Sequence, residues 1–179
     1  AGGTNQAFVV DTAQAPGVPV PGCDALITSV RGMALAVRTA DCLPLWFWDS
    51  RQRVVGLAHA GWRGVRRGIV GRVVSALRQL RQSRPESLWA GIGPAIRACC
   101  YEVGDTFDPW FAPFITDTGG RRRCDLIACA MQQLAAAGVR PGRVLDAGEC
   151  TVCQPDRWHS ARRDGGGSGR ILSFIAMPP

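Results

Sequence analysis

Apolar residues fall in strand-length runs over the first sixty positions and then switch to a helical period. Met33–Thr39 and Leu43–Trp48 are short and mostly apolar, and Arg53–His59 carries Val-Val-Gly-Leu-Ala into a turn of small residues. Three adjacent strands are expected. From Gly64, Val65, Ile69, Val73, Leu77 and Leu80 recur at helical spacing, with Arg66, Arg67, Arg72, Arg78 and Arg81 between them. The pattern predicts one amphipathic helix that ends before Pro85.

The remaining elements are read from punctuation as much as from period. Phe8–Asp11 is a short apolar run, and prolines at 16, 19 and 21 make Ala15–Gly22 a loop. Leu88–Ile92 reads as a strand closed by Gly93-Pro94. A second helix is predicted from Cys124 to Ala137, with Asp125 at its start, Leu126, Ala130 and Leu134 on its apolar face, and Gly138 at its stop. Val144–Ala147 and Ile171–Ala176 supply late strands, and Gly165–Gly169 is a turn. The regular strand–helix alternation of a doubly wound sheet is missing. The expectation is therefore an α+β fold, a single domain over residues 1–179 with mixed β-sheets and outer helices.

Composition narrows the class. With 179 residues, 46% hydrophobic and 20% charged, the chain suits one globular core. No apolar run approaches the roughly 18 residues of a membrane span, so no membrane partner is expected. The N-terminal Ala1-Gly2-Gly3-Thr4 shows no signal core, which points to a cytoplasmic protein. All 21 basic residues are arginine and the net charge is +7. Planar guanidinium groups suit carboxylates and phosphates, but Arg66–Arg67 and Arg121–Arg123 lack interleaved aromatics. An anionic small substrate is therefore expected rather than nucleic acid.

Cysteines stand at 23, 42, 99, 100, 124, 129, 150 and 153. In a chain of this size most read as small buried hydrophobes of a reducing compartment. Cys150-Thr-Val-Cys153 is a single CxxC with no second such pair and no adjacent histidine, a weak zinc signal. Only two histidines exist, His59 and His159. A blue-copper oxidase with a trinuclear cluster needs on the order of ten imidazoles, which this chain cannot provide.

The densest polar signal is Thr39-Ala40-Asp41-Cys42, followed seventeen residues after Cys42 by His59-Ala60-Gly61-Trp62-Arg63-Gly64. Strand ends joined by a short return can bring Cys42 and His59 together. The pair then reads either as buried packing, as a nucleophile with its base, or as two ligands of one metal ion. Gly61 and Gly64 permit a close approach, and Arg63 adds an anion donor. Asp41 reads either as a proton carrier or as a turn cap.

These motifs, with Gly93-Pro-Ala-Ile, Cys100-Tyr-Glu-Val-Gly, Ser160-Ala-Arg-Arg-Asp and Ser168-Gly-Arg, occur in an order that resembles the YfiH family. Its members are variously called laccase-domain proteins, multicopper polyphenol oxidases and purine nucleoside phosphorylases. The resemblance runs from about residue 24 to 175 and implies a site of the zinc type built from His, Cys and His, with Cys42 and His59 as two of its ligands. The family's first histidine belongs to a segment that precedes a Val-Val-Asp run. Val9-Val10-Asp11 matches that run, while Gly2 or Gly3 stands where the histidine is expected, and the family's preceding segment has no counterpart here. His159 reads as structural, with a replacement ligand as the other possibility.

The resemblance implies phosphorolysis of purine nucleosides together with adenosine deamination. Catalysis would fall to Cys42, His59, Asp41 and Arg63, with substrate binding by Arg63, Arg162 and Arg163. Zinc is the implied cofactor, with copper as the alternative, and a purine nucleoside and phosphate are the implied partners. The alternatives are a laccase-like polyphenol oxidase with copper, a hydrolase that edits cell-wall precursors with a cysteine nucleophile, and a non-catalytic homologue that keeps the fold.

Overall fold

A computed structural model describes residues 6–10 and 17–179. The predicted Ala15–Gly22 loop lies partly outside the described residues, and its described part is irregular. Six strands form a mixed sheet in the order β1 (Ala7–Val9), β2 (Ala25–Thr28), β5 (Val54–Ala60), β4 (Leu43–Asp49), β6 (Trp89–Ile92) and β9 (Val144–Asp146). The β1–β2 and β6–β9 pairs are parallel and the central pairs antiparallel. The expectation of three adjacent strands is corrected here. β3 (Ala34–Thr39) leaves the main sheet and pairs with β10 (Ile171–Ala176) as a separate antiparallel ribbon. A small hairpin joins β7 (Ile115–Thr118) and β8 (Arg121–Cys124), turning at Gly119 and Gly120.

Alternation along the central strands explains the layering. Leu43, Leu45 and Phe47 of β4 and Val54, Ala58 and Ala60 of β5 enter the larger core beneath the helices. Trp46 and Trp48 of β4 and Val55 and Leu57 of β5 point the other way, where Leu35, Val37 and Ile175 of the ribbon cover them. The ribbon thus caps an apolar face that would otherwise meet water, and β3 does so only by turning away from β4.

The predicted long helix is interrupted. α1 (Trp62–Arg66) and α2 (Ile69–Arg81) meet at Gly68, whose left-handed φ of 76° a continuous helix cannot contain. α2 buries Ile69, Val73 and Leu77 of the expected face and adds Val70 and Val74, while Leu80 is only half-buried. α3 (Leu126–Ala136) starts one residue after Asp125, whose carboxylate accepts from the Ala128 N–H at 2.9 Å. A short α4 (Ala161–Asp164) follows Ser160, whose hydroxyl accepts from the Arg163 N–H. Among the described residues no helix is long and apolar enough to cross a membrane.

Candidate functional site

The β4–β5 ladder sets Pro44 opposite His59 and Leu43 opposite Ala60. Carried one step past its end, the same register brings Cys42 across from Gly61. Both site residues fall on the ribbon face, His59 in phase with Leu57 and Cys42 in phase with Trp46. Gly61 is the reason they can meet. A Cβ placed there would lie 3.0 Å from the Cys42 sulfur and 3.8 Å from Cε1 of His59, so the two donors border the same point of space.

Asp24, a residue the sequence reading did not single out, orients the histidine. Its carbonyl accepts from the His59 N–H at 2.8 Å, and its Oδ1 stands 3.6 Å from His59 Nδ1. A carboxylate behind one ring nitrogen leaves the other for a ligand, the arrangement that commonly fixes a metal-binding imidazole. Burial pushes the Cys42 thiol up to about 11, with the Asp41 and Asp24 charges adding to the effect. Without a cation beside it the thiol is therefore neutral at pH 7.

Asp41 is buried and holds a left-handed φ of 90°, a conformation that costs a non-glycine residue about 1–2 kcal/mol. Its surroundings hold it there. The Thr151 hydroxyl donates to Oδ1 and the Arg162 N–H to Oδ2, each at 2.6 Å, while its own carbonyl accepts from the Ile96 N–H at 2.9 Å. Both carboxylate oxygens are thus engaged in tying the Cys42 turn to α4 and to the loops after β6 and β9. Sequence offered no signal for this role, because Thr151 and Arg162 are remote from Asp41 along the chain.

The arginines divide. Arg63 is exposed on α1, its guanidinium 4.4 Å from the Trp62 ring centroid. Arg162 is also exposed; it donates to the Glu102 carbonyl at 2.8 Å and lies 5.3 Å from the Tyr101 ring centroid. Tyr101 lies within electrostatic range of both arginines and of Cys42. Burial raises its hydroxyl well above the usual phenol range, the Cys124 and Cys42 sulfurs add to this, and the Arg162 and Arg63 charges oppose it. Arg163 is occupied elsewhere: it donates to the Thr151, Val152 and Trp158 carbonyls and to both carboxylate oxygens of Asp164. The geometry gives it a bracing role on the 151–158 loop. Exposed His159 lies against Gly169, where a Cβ would meet its ring at 2.5 Å.

For a zinc-type metal, Cys42 and His59 make a suitable sulfur–nitrogen pair oriented by Asp24. No third histidine, cysteine or carboxylate completes a group around them among the described residues. The Gly2–Gly3 position where the resemblance places a further ligand lies outside the described residues. Three surface cavities, of about 410, 360 and 490 Å³, are lined by neither Cys42 nor His59.

A group of donors does form elsewhere, from Cys99, Cys100, Cys150 and Cys153, whose sulfurs all lie within 4.8 Å of one another. The reading of most cysteines as small buried hydrophobes is corrected at this place, since Cys99 and Cys153 are exposed and Cys100 half-buried. A second pair does accompany the CxxC, but as adjacent cysteines some fifty residues away, a spacing that no linear motif flags.

Residues 3–178 match the family described as multi-copper polyphenol oxidoreductase laccase. The chain is 39% identical over 165 residues to the purine nucleoside phosphorylase YlmD of Geobacillus stearothermophilus, covering 87% of this chain and 60% of that protein. It is 36% identical over 166 residues to adenosine deaminase RL5 from an unknown prokaryotic organism, covering 86% and 62%. The crystal structure of YlmD from Geobacillus stearothermophilus superposes with a TM-score of 0.89 at 35% identity, over 98% of this chain and 70% of that one. The chain thus spans about 60% of the length of these two curated relatives.

Proposed function

The chain belongs to the YfiH family, described as multi-copper polyphenol oxidoreductase laccase, and from that membership we propose that the protein cleaves purine nucleosides with phosphate and deaminates adenosine. The observation that carries the reading is the convergence of Cys42 and His59 over Gly61 with Asp24 behind the imidazole. The names of two similar proteins, a purine nucleoside phosphorylase and an adenosine deaminase, supply the reaction classes.

In phosphorolysis a phosphate oxygen bonds to the ribose C1′ as the bond from C1′ to the base breaks. The purine leaves with the electron pair and takes up a proton. Arg63 and Arg162, both exposed and both within electrostatic range of Tyr101, hold the phosphate. Cys42 and His59 would hold a zinc ion as two of its ligands, with Asp24 fixing the ring of His59. That ion would supply the Lewis acid needed for the hydrolytic half. Asp41 positions the turn that carries Cys42.

Two alternatives fare worse on donors. A multi-copper oxidase site calls for more imidazoles than the two in this chain. A cysteine nucleophile of an editing hydrolase requires a thiolate, whereas Cys42 is pushed up to about 11 by burial and by its acidic neighbours. Eight unpaired cysteines support a reducing, cytoplasmic setting. The test is incubation of the zinc-loaded protein with inosine and phosphate, and separately with adenosine. Hypoxanthine with ribose 1-phosphate, and inosine with ammonia, are the expected products; absence of both sets rejects the proposal.

A further inference from the structure

The loops that follow β6 and β9 run side by side. Ala95 and Cys150 form a parallel bridge, the Thr151 N–H donates to the Ala95 carbonyl at 3.1 Å, and the Ala95 N–H donates to the Glu149 carbonyl at 3.3 Å. This zipper sets the adjacent pair Cys99–Cys100 against the turn Cys150–Cys153. The Cys153 sulfur is 3.3 Å from that of Cys100 and 3.6 Å from that of Cys99. These separations are too long for a disulfide, whose sulfurs lie about 2.05 Å apart. They are close to a tetrahedron edge instead: zinc–sulfur bonds of about 2.3 Å place the sulfurs of a four-thiolate site about 3.8 Å apart.

The Cys150–Cys153 turn is anchored by this zipper. Arg163 holds the same turn from outside by donating to the Thr151 and Val152 carbonyls.

We propose that Cys99, Cys100, Cys150 and Cys153 together bind one zinc ion, as a structural site distinct from the Cys42–His59 pair. Binding displaces four thiol protons and closes a tetrahedral, all-sulfur shell with no open position, so the role is to staple rather than to catalyse. The stapled loops carry Tyr101, next to Cys100, and Thr151, whose hydroxyl holds Asp41. The ion thereby fixes the far side of the Cys42 turn.

The experiment uses the full chain purified under reducing conditions without chelator, together with Cys42→Ala and the double variant Cys150→Ser/Cys153→Ser. Elemental analysis is expected to find a zinc equivalent that survives Cys42→Ala and falls below a tenth of an equivalent in the double variant. Cobalt(II) replacing zinc is expected to show thiolate-to-cobalt charge-transfer bands in the wild type and in Cys42→Ala. Because the double variant can fail to fold, Cys42→Ala provides a second readout: zinc added to it is expected to protect Cys99, Cys100, Cys150 and Cys153 from a thiol reagent, as located by peptide mapping. Metal that disappears with Cys42→Ala, cobalt spectra without thiolate bands, or a native disulfide among these four cysteines in place of bound metal would overturn the proposal.

Discussion

Replacing Gly61 by alanine is the smallest change that addresses the donor pair alone. The backbone there, at φ −77° and ψ 171°, suits any residue, so no strain enters through the main chain. The new Cβ would stand 3.0 Å from the Cys42 sulfur, while His59 Cε1 at 3.8 Å remains in ordinary contact. Heavy atoms prefer about 3.5–4.0 Å, so the sulfur must retreat by about 0.5 Å. Overpacking of this kind costs about 1–3 kcal/mol, at the low end where a half-buried side chain can turn aside. Loss of glycine's freedom in the unfolded chain offsets about 0.4–1 kcal/mol of that. The net effect is within about 1 kcal/mol, or about 2–4 °C in melting temperature for a domain of this size. A binding constellation tolerates only about 0.5 Å of displacement, and such misplacement costs about 10–100-fold in metal affinity or turnover. Calorimetric melting beside zinc affinity and inosine phosphorolysis reads both effects. Unchanged affinity and turnover would refute the convergence as a working site, and a collapse of the fold would show Gly61 to be a packing position instead.

Further predictions separate the supporting residues. Asp146 accepts two charge-assisted bonds from Arg97, at 2.9 and 2.6 Å, and the guanidinium holds its carboxyl below the ordinary 3.8. Its contribution is thus present above that value and lost as pH falls through the lower native one; Asp146→Asn should cost about 1.5–3 kcal/mol at pH 7, with the two proteins converging in acid titrations monitored by circular dichroism. Asp41→Asn turns an amide donor toward either the Thr151 hydroxyl or the Arg162 N–H, and chemical denaturation should show a loss of about 2–3 kcal/mol. Gly93→Ala drives a Cβ to 2.4 Å from the Trp46 ring and 2.8 Å from Pro44, and should lower soluble yield and melting temperature through overpacking of about 1–3 kcal/mol. Arg63→Ala should raise the KM for phosphate about tenfold without moving the melting temperature, whereas Arg163→Ala should lower the melting temperature and leave that KM in place.

The parts of this structure that sequence disclosed are those written in local pattern. β4 and β5 follow from their apolar runs, α2 from the spacing of Ile69, Val73 and Leu77, and the start of α3 from Asp125. What stayed hidden depends on distant partners. β3 pairs with β10 because the Trp46 and Trp48 face needs a cover, and nothing near residue 34 announces a strand that begins at 171. Arg121–Arg123 looked like a charged surface run, yet it forms one side of a hairpin whose Gly119-Gly120 turn supplies the reversal. The nearness of Cys42 and His59 was legible because one precedes β4 and the other lies near the end of β5, in adjacent antiparallel strands. Asp24, Tyr101 and Thr151 were not, since each acts through a contact that only the tertiary fold creates.

The double-mutant cycle on Cys42 and His59, read as kcat/KM for phosphorolysis of inosine by the zinc-loaded protein, tests the central claim most directly. If the sulfur and the imidazole work as one unit, Cys42→Ala and His59→Ala each remove nearly all activity and the double variant is no worse than either alone. Losses that multiply, or one single variant with wild-type activity, would contradict the account.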